Sequence, residues 1–313
     1  MTSPSPSPRW GVNLPLPGLP LREQGRIVRV LPDLGFTDVW TAEGGGIDAF
    51  TPLAAAAAWQ PRLRVGTGVV PAQTRGAGVL AQTALGLAEL AEGGVLLGVG
   101  SSVPAHVTAL NGLPHGRPLE TVRNTVRALR QNLAGQVPKP PKVIVGALRP
   151  RMLRLGYEEA DGAILNVLCA RDVPRVIEAA GGPRSDRETV VKLFLCPTED
   201  IATARQAGRA FLGWILNQAP YHAFHEWLGR GEVLRASYER YQAGDRRGAE
   251  LALPDDLVDE LWLSGRPAEL RDRIAGFLHP GVTTILLYVA GTPELVADPA
   301  RLPQLLADLR PDA

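Results

Sequence analysis

Gly94-Val-Leu-Leu-Gly-Val99 is a short run without a polar side chain, and seven similar runs, rich in Val, Ile and Leu, are spaced along the chain. Most of these runs are continuously apolar instead of alternating, which is typical of parallel strands covered on both faces. The predicted strands are residues 10–14, 37–41, 63–69, 94–99, 142–147, 162–167, 189–196 and 283–289.

Stretches of ordinary helix length separate these runs. The predicted helices are residues 21–34, 48–59, 77–91, 118–133, 150–159, 171–179, 267–278 and 300–309. Strand and helix thus alternate around an α/β fold in the pattern of a (β/α)8 TIM barrel. An open, doubly wound sheet fits the same order, so the pattern favours the barrel without excluding the open sheet. We expect a single barrel domain over residues 1–313.

The connection between the seventh and eighth runs is far longer than one crossover helix needs. Residues 197–266 are predicted to form a helical insertion, in which Tyr221, Phe224 and Trp227 lie close together. Two interpretations stay open. The insertion is either an extra helical layer packed on the barrel or a lid or dimer surface at its mouth, since barrel insertions often carry substrate specificity.

The composition excludes several classes of protein. Lys and Arg number 33 against 32 Asp and Glu, so the net charge of +1 leaves no basic excess for nucleic acid. An apolar content of 45% opposes disorder, and no window approaches the roughly 18–20 apolar residues of a membrane span. Residues 1–8 lack the pattern of a signal peptide, and two cysteines cannot build a disulfide framework. We expect a cytoplasmic protein without nucleic-acid or membrane partners.

Polar residues follow several of the predicted strands, at the end of a barrel where active sites lie. They are Asn13, Glu43, Gln73, Thr74, Arg75, Ser101, Ser102, His106, Arg149, Arg151 and Asn166. Any one of them is as well explained by an ordinary loop position, and the set is more informative than its members.

Two of these segments indicate anion binding. Gly98-Val-Gly-Ser-Ser102 places small residues and hydroxyl groups where a strand meets a loop. It is not a dinucleotide G-x-G-x-x-G motif, because Val103 replaces the third glycine and no helix is expected at the required distance. In Gly146-Ala-Leu-Arg-Pro-Arg151, Pro150 suits the first position of a helix, whose free N–H groups would face the barrel mouth.

Other chemistry is disfavoured. His222 and His225 lack the H-E-x-x-H arrangement and a third ligand, so we expect no metal site and assign the pair to a polar helix face. No G-x-S-x-G elbow occurs. Cys169 and Cys196 lie in apolar runs, which argues against a nucleophilic thiol.

The ordered segments resemble the luciferase-like monooxygenase superfamily, and more specifically its branch that depends on the deazaflavin coenzyme F420. The resemblance covers about residues 9–290. It is carried by residues 35–43 (GFTDVWTAE), 48–54 (DAFTPLA), 62–71 (RLRVGTGVVP), 96–101 (LLGVGS), 112–119 (GLPHGRPL), 146–153 (GALRPRML), 159–162 (EADG), 223–229 (AFHEWLG), 243–246 (AGDR) and 254–258 (PDDLV).

The resemblance implies a barrel of the bacterial-luciferase type that binds a flavin-type cofactor at the carboxyl ends of its strands, usually as a homodimer. Members often have a non-proline cis peptide in the third strand, and the matching bond is Gly68–Val69. The implied cofactor-binding residues are Gly68, Val69, Gly100, Ser101, Ser102, Gly146, Ala147, Leu148, Arg149 and Arg151.

Three departures concern the substrate side. The family's usual Gly-Gly-Arg before the fourth strand ends in Val95, and its usual aromatic residue in the following loop is Leu110. The β-rich insertion common before the fifth strand is nearly absent and is replaced by residues 136–141 (QVPKPP). We expect these changes to open the substrate side.

The function implied by the resemblance is hydride transfer from reduced F420 to a C=C or C=N bond of a small-molecule or modified-peptide substrate, as in specialised-metabolite tailoring. Glu43 is the first candidate for the proton donor, kept protonated by burial, with His106 second and Asn13 as a polar orienting residue. Two alternatives stay open: an FMN-dependent monooxygenase that uses oxygen, and a non-catalytic cofactor-binding protein.

Overall fold

Eight parallel strands close into a barrel in the computed structural model, which describes residues 7–44 and 46–310. The strands are β1 (Arg9–Asn13), β2 (Asp38–Thr41), β3 (Arg64–Thr67), β4 (Val95–Gly100), β5 (Lys142–Gly146), β6 (Gly162–Asn166), β7 (Glu188–Cys196) and β8 (Thr284–Val289). The last strand pairs with both β7 and β1, which closes the cylinder. The predicted (β/α)8 barrel is therefore confirmed, and the open sheet is excluded. Most of residues 1–8, the stretch compared with a signal peptide, lies outside the described residues.

Helices follow the strands in the expected order. They are α1 (Leu21–Val30), α2 (Phe50–Trp59), α3 (Ala77–Leu90), α4 (Pro104–Asn111), α5 (Pro118–Leu133), α6 (Pro150–Glu158), α7 (Val173–Ala179), α8 (Ile201–Ile215), α9 (Ala219–Trp227), α10 (Gly231–Gln242), α11 (Arg246–Leu251), α12 (Asp255–Leu261), α13 (Pro267–Ala275), α14 (Pro293–Ala297) and α15 (Leu302–Leu309). None of the helices in the described part of the chain is long and apolar enough to cross a membrane.

Two sequence predictions about this framework are wrong in detail. Helix α4 directly follows the glycine-rich end of β4, where no helix was expected; Pro104 begins it, and Gly112, with φ +69°, ends it. The third predicted strand does not run unbroken over 63–69. It is interrupted after Thr67, and the chain pairs again with β4 only at Val70–Pro71.

The barrel interior has three layers, because every second residue of a strand points inward. On β7 the inward residues are Glu188, Val190, Lys192 and Phe194. Glu188 lies in an ionic layer, Val190 lies in an apolar layer, and Lys192 and Phe194 lie in a layer that lines a cavity. We call the layer at the amino ends of the strands the floor and the layer at their carboxyl ends the mouth.

The middle layer is apolar and is built around Trp40. This side chain is fully buried with Leu96, Ile144, Ile164, Val190 and Leu286. The strands on either side, β1 and β3, each have a glycine where the indole packs. A Cβ atom on Gly11 would lie 2.8 Å from the nearest ring atom of Trp40, and for a Cβ atom on Gly66 that distance would be 2.6 Å, so neither position accommodates a side chain. The layer separates the floor from the mouth with a dry, close-packed plug.

The floor is an ion network centred on Arg64, which is 8% exposed. Its guanidinium donates to Asp38 at 2.5 Å and to Thr284 at 2.9 Å, and lies 3.1 Å from a Glu188 carboxylate oxygen. Lys142 adds a contact to Glu188 at 2.8 Å. Burial acts to raise the pKa of Glu188, but the charges of Arg64 and Lys142 outweigh it and hold that pKa below its usual value. The floor is thus a buried charge cluster with its partners in place.

The insertion packs on the barrel as a helical layer. Helices α8 to α12 occupy residues 201–261, within the predicted range 197–266. Leu212, Ile215 and Leu261 form a second apolar core with Phe194 of β7 and Ala290 after β8. This layer also walls one side of the mouth, so both interpretations offered for the insertion, packing layer and cover of the mouth, describe parts of it.

Candidate functional site

A cavity of about 470 Å³ opens at the carboxyl ends of the strands. Strands on nearly the whole circumference contribute to its wall, and the insertion closes one side with Phe211, Trp214, Ile215, Pro220 and Tyr221. Such a volume lies within the range of small-molecule and cofactor sites. The cavity occupies the position that the barrel rule predicts for an active site.

One wall of the cavity is a smooth backbone cradle. The Gly68–Val69 peptide is cis, as the family resemblance predicted. The Val69 side chain lies against two glycines of the neighbouring strands: a Cβ on Gly100 would come within 2.7 Å of it, and one on Gly146 within 3.1 Å. Since three consecutive strands thus present little but backbone around Val69, this wall suits one face of a flat ring system.

The structure brings most of the predicted site residues to this cavity. Its wall includes Asn13, Glu43, Gly68, Val69, Gly100, Ser101, Ser102, His106, Gly146, Ala147 and Leu148. Arg149 and Arg151 are exposed at the start of α6 and do not line it. The phosphate-binding role given to these two arginines stays a prediction, and any contact they make with a ligand lies at its solvent end.

Glu43 is held by an ion pair. Arg75, from the loop after the Val70–Pro71 strand, donates both terminal nitrogens to its carboxylate, one of them at 2.7 Å to Oε1 and the other to Oε2. The hydrogen bond to Glu43 raises the pKa of Arg75, with the carboxylate charge adding to the effect. Both carboxylate oxygens of Glu43 are therefore already occupied by hydrogen bonds from Arg75. This geometry weighs against Glu43 as the proton donor that the sequence suggested.

His106 lies on the cavity wall at the start of α4. Its Nδ1 is 3.2 Å from the Ser102 hydroxyl, and its buried Nε2 has no partner among the residues that the structure describes. The loop that carries both residues is tied down by His115, whose Nε2 lies 2.8 Å from the Ser101 carbonyl oxygen. The second predicted proton donor therefore has one ring nitrogen fixed and one free toward a ligand.

Lys192 is a site residue that the sequence analysis missed. It stands in the middle of apolar β7, is 8% exposed and lines the cavity. Its Nζ donates to Asn13 Oδ1 at 2.9 Å, and the Asn13 amide in turn donates to the Leu14 carbonyl at 2.9 Å. Burial lowers the pKa of Lys192 from 10.5 to about 8. The signal was present in the sequence: with Val190 pointing inward, the period of two places Lys192 at the mouth.

Asn166 and two tyrosines complete the polar part of the wall. The Asn166 amide donates to the Tyr221 hydroxyl at 3.1 Å, while its own Oδ1 is buried and has no partner in the described part of the chain. Burial raises the pKa of both Tyr221 and Tyr288, so both hydroxyls are neutral at ordinary pH. The hydrogen bond ties the insertion to β6 directly above the cavity.

The histidines and cysteines for which no chemistry was expected have structural places. His225 is fully buried and donates from Nε2 to the Val167 carbonyl at 3.0 Å, so its assignment to a polar helix face is wrong. His222 stacks on Tyr238 with ring centres 3.8 Å apart. Burial raises the pKa of the Cys169 and Cys196 thiols, which keeps both in the unreactive protonated form.

Comparison with known proteins identifies a matching family and several relatives of this chain. The family model described as luciferase-like monooxygenase matches residues 7–284. A putative coenzyme F420-dependent oxidoreductase of Mycobacterium tuberculosis is 26% identical over 94% of this chain and 96% of its own. The 5,10-methylenetetrahydromethanopterin reductase of Methanolobus tindarius is 26% identical over 89% of this chain and 92% of its own.

A solved structure shows the same fold. The coenzyme F420-dependent tetrahydromethanopterin reductase of Methanopyrus kandleri superposes with a TM-score of 0.74 at 18% identity, over 97% of this chain and 98% of that one. The resemblance inferred from the ordered sequence motifs is confirmed at the level of the family, since the family model matches most of the chain. This chain belongs to the luciferase-like monooxygenase family.

Proposed function

We propose that the protein is an oxidoreductase that uses reduced coenzyme F420 to transfer a hydride to a C=C or C=N bond of a small-molecule or modified-peptide substrate. The observation that carries the proposal is the backbone cradle around Val69 on the wall of the mouth cavity. The names of the relatives support F420 over other cofactors. The substrate range and the homodimer expected from the family are parts of the same proposal.

The residues present fit a deazaflavin. Gly100 and Gly146 add no side chains of their own to the cradle, so the Val69 side chain that packs on them forms its surface there, and Ser101 and Ser102 add hydroxyl groups beside it. Ala147 and Leu148 continue the wall toward the start of α6, where the free N–H groups of the first turn favour an anion. When bound, reduced F420 would supply the hydride, and a reduced deazaflavin reacts poorly with oxygen.

The protein's own groups do the remaining work. The insertion and the apolar middle layer keep the cavity shielded from water on two sides, which strengthens every polar contact inside it. The Arg75–Glu43 pair fixes a charged side of the wall without offering a proton. Two cavity groups remain that can hold a proton beside the substrate, His106 and Lys192.

Cofactor choice is tested by titrating the apo-protein with F420 and with FMN, following the fluorescence of each ligand. We expect saturable binding of F420 at least tenfold tighter than of FMN. Gly146→Val, whose side chain would collide with Val69, should abolish F420 binding, whereas Gly86→Val, at an exposed site on α3 with open space, should leave it intact. Preference for FMN would instead support the oxygen-using monooxygenase alternative.

A non-catalytic cofactor-binding protein is separated from an enzyme by turnover. A panel of enones, enoates and cyclic imines incubated with reduced F420 under argon should contain acceptors that reoxidise the cofactor. Tight F420 binding without turnover on any of them would favour the non-catalytic alternative.

A further inference from the structure

We propose that Lys192 is the catalytic acid of this site, and that it limits the substrates to acceptors whose double bond ends in a nitrogen atom or is conjugated to a carbonyl group. Such acceptors are imines and α,β-unsaturated carbonyl compounds. The inference rests on the proposed function, because it names the group that meets the negative charge left on the substrate by hydride arrival.

The Lys192 ammonium has unused donors. An ammonium offers three N–H groups, and within the described residues Nζ makes one hydrogen bond, to Asn13 Oδ1 at 2.9 Å. The rings of Phe194 and Tyr288 lie 5.5 Å from Nζ and shield it from solvent. The remaining donors are therefore available to a ligand in the cavity that Lys192 lines.

The charge of Lys192 also has no counter-ion among the described residues; its neighbours are the Asn13 amide and the faces of the Phe194 and Tyr288 rings. Burial is the cause of its lowered pKa, and no charged neighbour in the described structure contributes to the shift. A buried charge without a counter-ion is costly to the fold. The chain's other described lysines behave differently: Lys142 is more than half exposed and is paired with Glu188, and Lys139 is exposed and binds backbone carbonyls of Glu92 and Gly93.

The chemistry balances with one hydride and one proton. In an enone, the β-carbon gains a hydride from the reduced deazaflavin, which is oxidised by two electrons. The π pair of the C=C bond forms a new double bond between the α-carbon and the carbonyl carbon, the π pair of the C=O bond moves onto the oxygen, and that oxygen takes a proton from Lys192 Nζ. The enol then tautomerises to the saturated ketone, and neutral Nζ regains a proton from solvent. In an imine the carbon gains the hydride, and the nitrogen takes the proton directly.

The other groups that face Lys192 do not compete for this role. Asn13 on β1 and Asn166 on β6 do not titrate. Burial raises the pKa of Tyr221 and Tyr288, which makes their hydroxyls weaker acids than the Lys192 ammonium. Elsewhere on the cavity wall, the Glu43 carboxylate already accepts hydrogen bonds from Arg75. His106, which contacts Ser102 through one nitrogen only, is the rival donor, and the Lys192→Met variant described below distinguishes the two. Turnover should therefore decrease as pH rises and the Lys192 ammonium is lost.

The first test uses 4-nitrophenol, whose ionised and neutral forms absorb at different wavelengths, as a probe of oxyanion binding in the protein with and without added F420. Wild type should bind the phenolate and lower the probe's apparent pKa. Lys192→Met, similar in length and uncharged, should bind it at least tenfold more weakly, because charge-assisted hydrogen bonds are worth roughly 1.5–3 kcal/mol. Lys139→Met, at an exposed lysine, is the matched control and should behave as wild type.

The second test does not depend on a Lys192 variant that folds. The chain has lysine only at 139, 142 and 192, so protein labelled with [15Nζ]lysine gives three side-chain signals. Lys139→Arg and Lys142→Arg assign the third by elimination. We expect that signal to titrate below the other two and to shift on addition of 4-nitrophenol.

The outcomes separate the two proposals. Unchanged probe affinity in Lys192→Met, or a Lys192 signal indifferent to the probe, would overturn the role of Lys192 even if F420 binds. Failure of F420 to bind, with the probe still held by Lys192, would instead overturn the proposed function. With an accepted substrate, Lys192→Met should lower kcat by roughly 10²- to 10⁴-fold and remove the decrease of kcat at high pH. An unaltered pH profile contradicts the catalytic role.

Discussion

The two ends of the barrel each bury one cation, and they treat it in opposite ways. Arg64 at the floor and Lys192 at the mouth are both 8% exposed. Arg64 lies between the carboxylates of Asp38 and Glu188, whereas Lys192 has the neutral amide of Asn13 as its hydrogen-bond partner. Strand β7 supplies both Glu188 and Lys192, so the same strand completes a charge cluster at one end and leaves a charge open at the other.

This difference separates stability from function. At the floor the charges neutralise one another, and removing one partner leaves an unpaired buried charge. At the mouth the fold already bears the cost of a lone ammonium, which is the behaviour expected of a group kept for a ligand. Substitutions at the two ends should therefore differ in the size and the sign of their effects.

The largest effect is expected at the floor. Arg64→Met removes the buried cation between Asp38 and Glu188 and leaves their carboxylates with only the more exposed Arg9 and Lys142 as ionic partners. The substitution should lower the free energy of unfolding by about 3–5 kcal/mol, as measured by urea unfolding. Arg9→Met is the matched control: Arg9 also contacts Asp38, at 3.2 Å, but its side chain is 40% exposed, so the loss should stay below about 1 kcal/mol. Equal losses in the two variants would contradict the distinction between a buried and a surface pair.

At the mouth, the buried ammonium of Lys192 should make the free energy of unfolding depend on pH. The folded pKa of Lys192 is about 8 against 10.5 when solvated, so between these values the unfolded chain binds a proton that the folded chain does not. The free energy of unfolding should therefore rise with pH across this window, by about 3 kcal/mol in total relative to Lys192→Met. If the free energies of unfolding of wild type and Lys192→Met changed in parallel from pH 7 to 10, the charge of Lys192 would not destabilise the fold, and the expectation would be wrong.

A smaller effect of opposite sign to that at the floor is expected from Lys192→Met at pH 7. Removing the ammonium relieves a cost of about 3 kcal/mol, while Asn13 Oδ1 loses its donor at a cost of about 1–3 kcal/mol. We expect the variant to be about 1 kcal/mol more stable than wild type in the same urea experiment. A loss comparable to that of Arg64→Met would mean that the two cations play the same structural part.

Much of the fold could be predicted from the sequence, because short apolar runs that alternate with helix-length segments are typical of buried parallel strands. The cis Gly68–Val69 bond was found through the family resemblance. Helix α4 was missed, because its eight residues are too short to display a period, although Pro104 and Gly112 mark its ends.

The site was harder to predict than the fold. The carboxyl-end rule found Asn13, Glu43 and His106, since it needs strand positions alone. It could not show that Arg75, 32 residues after Glu43, closes on that carboxylate, because such a contact depends on how two loops fold back. Lys192 was not predicted, because a strand that is apolar on both sides of this residue and buried along its length does not indicate which of its residues point into the barrel.

The most direct test of the proposed activity is the reoxidation of reduced F420 by an enone or cyclic imine under argon, followed through the return of the oxidised deazaflavin absorbance. The proposed function predicts turnover that needs no oxygen, is not supported by reduced FMN and is lost in Gly146→Val. Turnover that requires reduced FMN and oxygen, and that fails with reduced F420, would contradict it.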